Sequence, residues 1–354
     1  MTPAPQEVIE RSELGALEFI AEGGQGRVYR CTELRLPDYD GRLAFKEYKP
    51  GQVTAAGLEA IIAMRSRLGD HDRHRLDAMT TWPTRLVREA GRVTGILMPL
   101  IREEYVHVGR SLTGSVLRKE REIQYLFLSA ARCEKLGFPR VNLYQRFAIC
   151  RGLAEALALL AENNVVFGDL NAKNALFRVG PGRFDGDVML VDCDAVRVRG
   201  TVSAVPQLNS PDWEPPEAER SHLTQETDVF KYALFVLRTL SPGPNASTAR
   251  DPRRVDDIID AEGQGLLRAS LSSTKATRPR AADWAAYFAR IRATLPGAVA
   301  PAAPAASPAS PAAPPGTRPR PATAPASAGG PAATGTTGGW TRGPNGDWIR
   351  GRLP

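Results

Sequence analysis

The sequence predicts an α+β protein built as two unequal lobes, a small β-rich one followed by a larger helical one. Three observations carry this. Short apolar runs separated by Gly, Asp and Pro fill the chain up to about residue 100, around one helical stretch. Longer segments with apolar residues at helical spacing fill the part that follows. At Pro296 the composition changes abruptly to Pro, Ala, Ser, Thr and Gly, which have little to bury and end the folded part.

In chain order, 17–22 and 27–32 read as strands flanking a glycine-rich turn, and 42–48 as a third strand. Leu58, Ile61, Ile62 and Leu68 recur at helical spacing, which predicts a helix over 56–68. Two more strands, 84–89 and 94–100, are joined by an Ala-Gly turn. Helices are expected over 116–136, 143–163, 228–240 and 281–293. The resulting plan is an N-terminal extension (1–13), a folded domain (14–295, lobes 14–100 and 101–295), a disordered Pro/Ala-rich linker (296–338) and a short tail (339–354). The tail carries two W-x-R-G copies, at Trp340 and Trp348, around a Pro344-Asn345-Gly346-Asp347 turn signal. It reads either as a small hairpin that docks a partner through its aromatic and arginine side chains or as an untethered end.

Composition excludes several classes. No stretch approaches the ~20 apolar residues of a membrane span. Residues 1–13 lack a basic start followed by an apolar block, so the expectation is a cytoplasmic protein with no secretory signal. Four cysteines without a C-x-x-C pair and four histidines without H-x-x-x-H argue against disulfide frameworks and zinc sites. The net charge of +7 is spread along the chain beside 39 acidic residues, and no finger module is present, which argues against nucleic acid as partner.

Three motifs carry chemistry. Gly23-Gly24-Gln25-Gly26-Arg27-Val28-Tyr29 would let backbone amides approach a phosphate. Because strands lie on both sides of it, the loop joins a hairpin and does not open a helix as a dinucleotide fingerprint does. In Ala44-Phe45-Lys46, a lysine directed into a cleft can neutralise phosphate charge, with Glu59 on the following helix the candidate to hold its ammonium. In Phe167-Gly168-Asp169-Leu170-Asn171-Ala172-Lys173-Asn174, apolar runs bracket a loop with an aspartate and, five positions on, an asparagine. Further along, Val191-Asp192-Cys193-Asp194 ends an apolar strand in carboxylates. An amide and a carboxylate at adjacent strand ends can hold Mg²⁺ through oxygen, while another carboxylate orients an attacking hydroxyl.

In this order the motifs resemble the eukaryotic-type protein kinase superfamily, in a divergent bacterial serine/threonine form, over about 280 residues. The resemblance implies a protein-kinase-like fold and an ATP- and Mg²⁺-dependent (or Mn²⁺-dependent) signalling enzyme. Gly23, Gly24, Gly26, Val28, Lys46, Glu59 and Met98 would serve ATP, with 98–101 as the hinge facing adenine. Asn174 and Asp192 would hold the metal, Asp169 would orient the acceptor hydroxyl, and Lys173 would add charge. Trp213-Glu214-Pro215-Pro216-Glu217 resembles the family's A-P-E motif, with Arg278 as the late arginine that pairs with its glutamate. Asp228 resembles the aspartate that braces the catalytic loop.

The departures are specific. Ala21 replaces the first loop glycine, Phe167-Gly168-Asp169 replaces H-R-D, and Asp194 stands at the glycine of D-F-G. Losing the arginine of H-R-D argues against control by an activation-loop phosphate. Residues 103–140 are an insertion. Two other readings stand beside the protein kinase. Gly168-Asp169-Leu170 with Asn174 also resembles the aminoglycoside/choline-type small-molecule kinases, and the missing arginine with Asp194 suits a pseudokinase that binds nucleotide as a scaffold. The glycine loop, Pro215-Pro216-Glu217 and Arg278 favour the protein kinase over the small-molecule enzymes, and retention of Lys46, Asp169, Asn174 and Asp192 favours an active one.

Overall fold

The computed structural model describes residues 7–110, 116–205, 209–217, 223–294, 340–342 and 348–350. The linker 296–338 lies outside them. The chain divides into two units, Met1–Pro296 and Gly297–Pro354.

The first unit has an α+β fold in two lobes, a β-rich one followed by a mainly helical one. Its N-terminal lobe is one six-stranded sheet of β1 (Val8–Glu10), β2 (Leu17–Glu22), β3 (Gly26–Cys31), β4 (Leu43–Tyr48), β5 (Arg85–Glu89) and β6 (Arg92–Pro99), in the spatial order β1-β5-β6-β4-β3-β2. All neighbours are antiparallel except β1 and β5, which run parallel. Residues 8–10, read from sequence as part of an extension, thus complete the sheet edge, a pairing that three residues of local pattern cannot announce.

Strand alternation decides what each face of β4 does. Leu43 and Phe45 enter an apolar cluster with Leu14, Cys31, Val87 and Leu97. Lys46 and Tyr48, two residues apart, share the opposite face. Helices α1 (Ala55–Arg67) and α2 (Asp70–Met79) follow β4. Buried Arg65 of α1 joins them, donating to Asp77 at 2.6 and 2.8 Å and to Asp38 at 2.6 Å, while Arg85 of β5 also grips Asp38. The strongly polar sequence of α2 gave no helical period, so its place depends on this ion network.

The C-terminal lobe begins with a hairpin, β7 (Val106–Arg110) and β8 (Val116–Glu120), then α3 (Ala130–Lys135) and the long α4 (Leu143–Glu162). Short strands β9 (Val165–Val166), β10 (Ala175–Val179), β11 (Gly186–Leu190) and β12 (Arg197–Val198) precede α5 (Gln225–Leu240), α6 (Ala261–Ser270) and α7 (Ala281–Thr294). The helix expected over 116–136 is therefore corrected to a strand, a 3₁₀ turn at Ile123–Phe127 and the short α3. Ile123, Leu126 and Phe127 mimic a helical period, but they are buried from a single tight turn.

Helix α4 is the axis of this lobe. Asn142 caps it by accepting from the Gln145 amide at 2.9 Å, while the Gln145 side chain accepts from the Asn142 amide at 3.1 Å. Its buried residues Phe147, Ile149, Leu153 and Leu160 belong to a core that runs from Tyr48, Leu58 and Ile61 to Trp284 and Phe288. Among the described residues no helix is long and apolar enough to cross a membrane. In the second unit, β13 (Trp340–Arg342) pairs antiparallel with β14 (Trp348–Arg350), Trp340 opposite Arg350.

Candidate active site

The loop between β9 and β10 is held by its backbone before any side chain acts. Gly168 has φ 78°, a left-handed conformation that disfavours a side chain, which gives a physical reason for glycine here in place of arginine. Asp228, fully enclosed on α5, accepts from the amides of Phe167 and Gly168, each at 2.8 Å. Lys231, one turn further along α5 and wholly buried, donates to the Gly168 carbonyl. Burial is the main influence on Asp228 and pushes its carboxyl up to about 6, against the two amides and Lys231.

Asp169 then projects from a fixed backbone. Its Oδ1 accepts from Asn171 at 3.0 Å and its Oδ2 from the Asn174 amide at 2.9 Å. Asn171 also accepts from the Lys173 and Asn174 amides, at 2.8 and 3.3 Å, so it shapes the loop instead of supplying charge. Lys173 is half-buried in the same loop. Burial pushes the Asp169 carboxyl above its usual range, opposed by Asn171, Lys231 and Asn174.

Strand pairing brings the second carboxylate in. Ala175 on β10 is opposite Leu190 on β11, and the Val191 amide donates to the Asn174 carbonyl at 3.0 Å. Asn174 and Asp192 are therefore neighbours at the same sheet end. Asp192 has φ 56°, a left-handed strain of about 1 kcal/mol that tertiary packing must impose. Asn174 spends its amide N–H groups on Asp169, which leaves its amide oxygen for a cation, and Asp192 offers a half-exposed carboxylate. This all-oxygen donor set fits Mg²⁺ or Mn²⁺ shared with phosphate groups. Among the described residues no cluster of three His, Cys, Asp or Glu could cage a metal by itself.

The sheet forms the other wall. Val28 is directly opposite Lys46, and Ala44 opposite Met98, so these four residues share one face. Val28, Ala44 and Met98 thus give an apolar slot beside the lysine. The glycine loop closes on itself through the Gly23 amide and Gly26 carbonyl at 2.8 Å. Its glycines have different reasons. A Cβ on Gly26 would lie 1.9 Å from the Glu47 carbonyl oxygen, so Gly26 is demanded by the close approach of β3 to β4, whereas a Cβ on Gly24 would meet nothing within 4 Å.

Lys46 is buried, and its ammonium donates to Asp194 Oδ2 at 2.7 Å and to Gln25 Oε1 at 3.1 Å, with Asp192 Oδ1 at 3.8 Å. The expectation that Glu59 holds it is corrected. Glu59 lies exposed on α1 and pairs with Arg88 at 3.5 Å, because α1 turns Leu58, Ile61 and Ile62 inward and leaves Glu59 on its outer side.

Two contacts fix the far side of the site. Ser210 Oγ lies 3.5 Å from Asp169 Oδ1. Glu217 pairs with Arg278 at 2.6 Å, and Arg278 also reaches the Glu226 and Ser272 carbonyls. Sequence reasoning thus missed Ser210, Asp194, Tyr48, Gln25 and Lys231. Tyr48 was findable, two residues beyond Lys46 on the same strand face. Lys231 had no signal, since a lysine in an apolar helix reads as a solvated charge.

No family model matches the chain, and no curated protein matches it. Among solved structures it is similar to the Mycobacterium tuberculosis PknI kinase domain, at 16% identity and a TM-score of 0.47, over 77% of this chain and 94% of that one.

Proposed function

We propose that the protein is an ATP- and Mg²⁺-dependent kinase that transfers the γ-phosphoryl group to Ser or Thr hydroxyls of a protein. One observation carries this reading. Asp169, itself held by Asn171 and Asn174, has a serine hydroxyl of the chain beside its carboxylate, while Asn174 and Asp192 end adjacent strands, with Asp192 3.8 Å from the Lys46 ammonium.

In this reading Val28, Ala44 and Met98 receive the adenine, and backbone groups at 98–101 pair with its edge. Lys46 and the amides of the glycine loop hold the phosphates. Asn174 and Asp192 hold the divalent cation, which neutralises phosphate charge when bound. Asp169 orients the acceptor hydroxyl and takes its proton as the new O–P bond forms and the bond to the leaving ADP oxygen breaks. Its raised basicity suits that task. Lys173 adds positive charge near the transferred group. Most of the acceleration comes from positioned charge in a preorganised cleft. Ser210, in the segment leading to Glu217, marks where an acceptor hydroxyl approaches Asp169, which favours a protein acceptor over a small metabolite.

The test is phosphate transfer from labelled ATP with Mg²⁺ or Mn²⁺, to the protein itself and to a protein mixture, beside Asp169→Asn and Lys46→Met. We expect labelling in the parent and a loss of about 10²-fold or more in each variant. Intact nucleotide binding without labelling of any protein would overturn the reading. A metabolite panel would then separate a small-molecule kinase from a nucleotide-binding scaffold.

A further inference from the structure

A lysine that holds phosphate needs an acidic partner, because a flexible four-carbon stem does not fix a point charge by itself. The expected partner, Glu59, points away and is engaged by Arg88. Helix α1 is held in that orientation. A Cβ on Gly57 would lie 2.3 Å from the Ala204 amide nitrogen, Thr54 donates to the Ala204 carbonyl at 2.9 Å, and its hydroxyl donates to Ser203 at 3.0 Å. Rotating Glu59 inward would break these contacts and expose Leu58, Ile61 and Ile62, all buried.

The position that the family resemblance reserves for glycine carries the alternative. Asp194 is 2% exposed and sits in a short 3₁₀ turn, Cys193–Ala195, launched by the left-handed Asp192. A single oxygen, Asp194 Oδ2, accepts from Lys46 at 2.7 Å and from the Tyr48 hydroxyl at 2.6 Å. Both donors come from one face of β4, two residues apart, so one carboxylate fastens the sheet lobe to the start of the segment that follows β11. A buried carboxylate without such donors would be expensive, and here it has both. Burial alone would push the Asp194 carboxyl up, but Lys46 and Tyr48 outweigh it and hold it below its usual range.

We propose that Asp194, braced by Tyr48, is the positioning residue for Lys46, replacing the helix carboxylate. This rests on the reading of Lys46 as the phosphate-holding lysine. It ties the readiness of Lys46 to the ordering of the 192–195 turn and frees it from the orientation of α1.

The test compares Asp194→Asn, Tyr48→Phe and Glu59→Gln in the full chain, using two readouts. The first is affinity for a non-hydrolysable ATP analogue with Mg²⁺. The second is the rate at which Lys46 reacts with an amine-directed acylating reagent, followed by peptide mass spectrometry. Losing a charge-assisted buried hydrogen bond should weaken nucleotide binding by about tenfold or more in Asp194→Asn. The same change should speed Lys46 acylation, because an amine no longer held by the Asp194 carboxylate is freer to meet the reagent. Tyr48→Phe should move both readouts in the same direction but less, and it decides the matter if Asp194→Asn does not fold. Glu59→Gln should move neither. The proposal is overturned by unchanged affinity and acylation in folded Asp194→Asn, or by a Glu59→Gln effect of equal size. The acylation readout needs no catalysis, so a parent that transfers no phosphate sinks the kinase reading while the Lys46–Asp194 pairing is still decided.

Discussion

Replacing Arg278 by alanine removes a buried tie between Glu217 and the helical lobe. The guanidinium is fully buried and donates to Glu217 at 2.6 Å, to the Glu226 carbonyl at 3.0 Å and to the Ser272 carbonyl at 2.8 and 3.1 Å. It also lies over the Phe230 ring, 5.0 Å from its centre. Among the described residues Glu217 Oε2 has no hydrogen-bond partner, so the variant would strand a mostly buried carboxylate and two carbonyls. Breaking a buried pair by removing one member costs about 3–5 kcal/mol. For a domain of this size that is a fall in Tm of about 6–10 °C. Urea unfolding of the parent, Arg278→Ala, Glu217→Gln and the double variant measures both the cost and the coupling. The double variant should be less destabilised than the sum of the singles by about 0.5–3 kcal/mol, since glutamine removes the stranded charge. An Arg278→Ala protein within about 1 kcal/mol of the parent, or strict additivity, would refute the reasoning.

Two further predictions concern backbone and pH. Gly26→Ala should destabilise by about 1–3 kcal/mol, because its Cβ meets the Glu47 carbonyl oxygen at 1.9 Å, while Gly24→Ala should leave the unfolding midpoint nearly unchanged. Equal effects in denaturant titrations would show that the β3–β4 approach does not set the glycine requirement. Asp228 has a folded pKa of about 6, above its ordinary 3.8, so the stability it contributes is fully present below 3.8 and is lost as pH rises through 6. The advantage of the parent over Asp228→Asn should therefore shrink by on the order of 3 kcal/mol between pH 4 and 7, whatever constant offset the lost hydrogen bonds add. A pH-independent difference would contradict this.

How much was legible in advance follows from the range over which each interaction acts. The strand pattern around Lys46, the loop from Asp169 to Asn174, the apolar strand ending at Asp192 and the long α4 are all encoded by near neighbours. Alternation, helical period and turn chemistry are local, so sequence alone sufficed for an α+β chain with a β-rich lobe, a helical lobe and the candidate site residues on named loops and strands. It misread 116–136, where Ile123, Leu126 and Phe127 satisfy a helical period from within a 3₁₀ turn. It was silent on α2, whose place depends on Arg65 meeting Asp77, and on β1, which exists only because β5 offers it a parallel edge.

The partner of Lys46 was decided by tertiary structure alone. Sequence offered an acid on the next helix at a plausible distance, but which face of that helix turns inward depends on how Gly57 packs against Ala204, far away in the chain. The choice of Asp194, 148 positions from Lys46, follows from the left-handed turn at Asp192 and the burial that forces a carboxylate to find donors. Such pairing is a property of two surfaces meeting, and no local pattern in either one contains it.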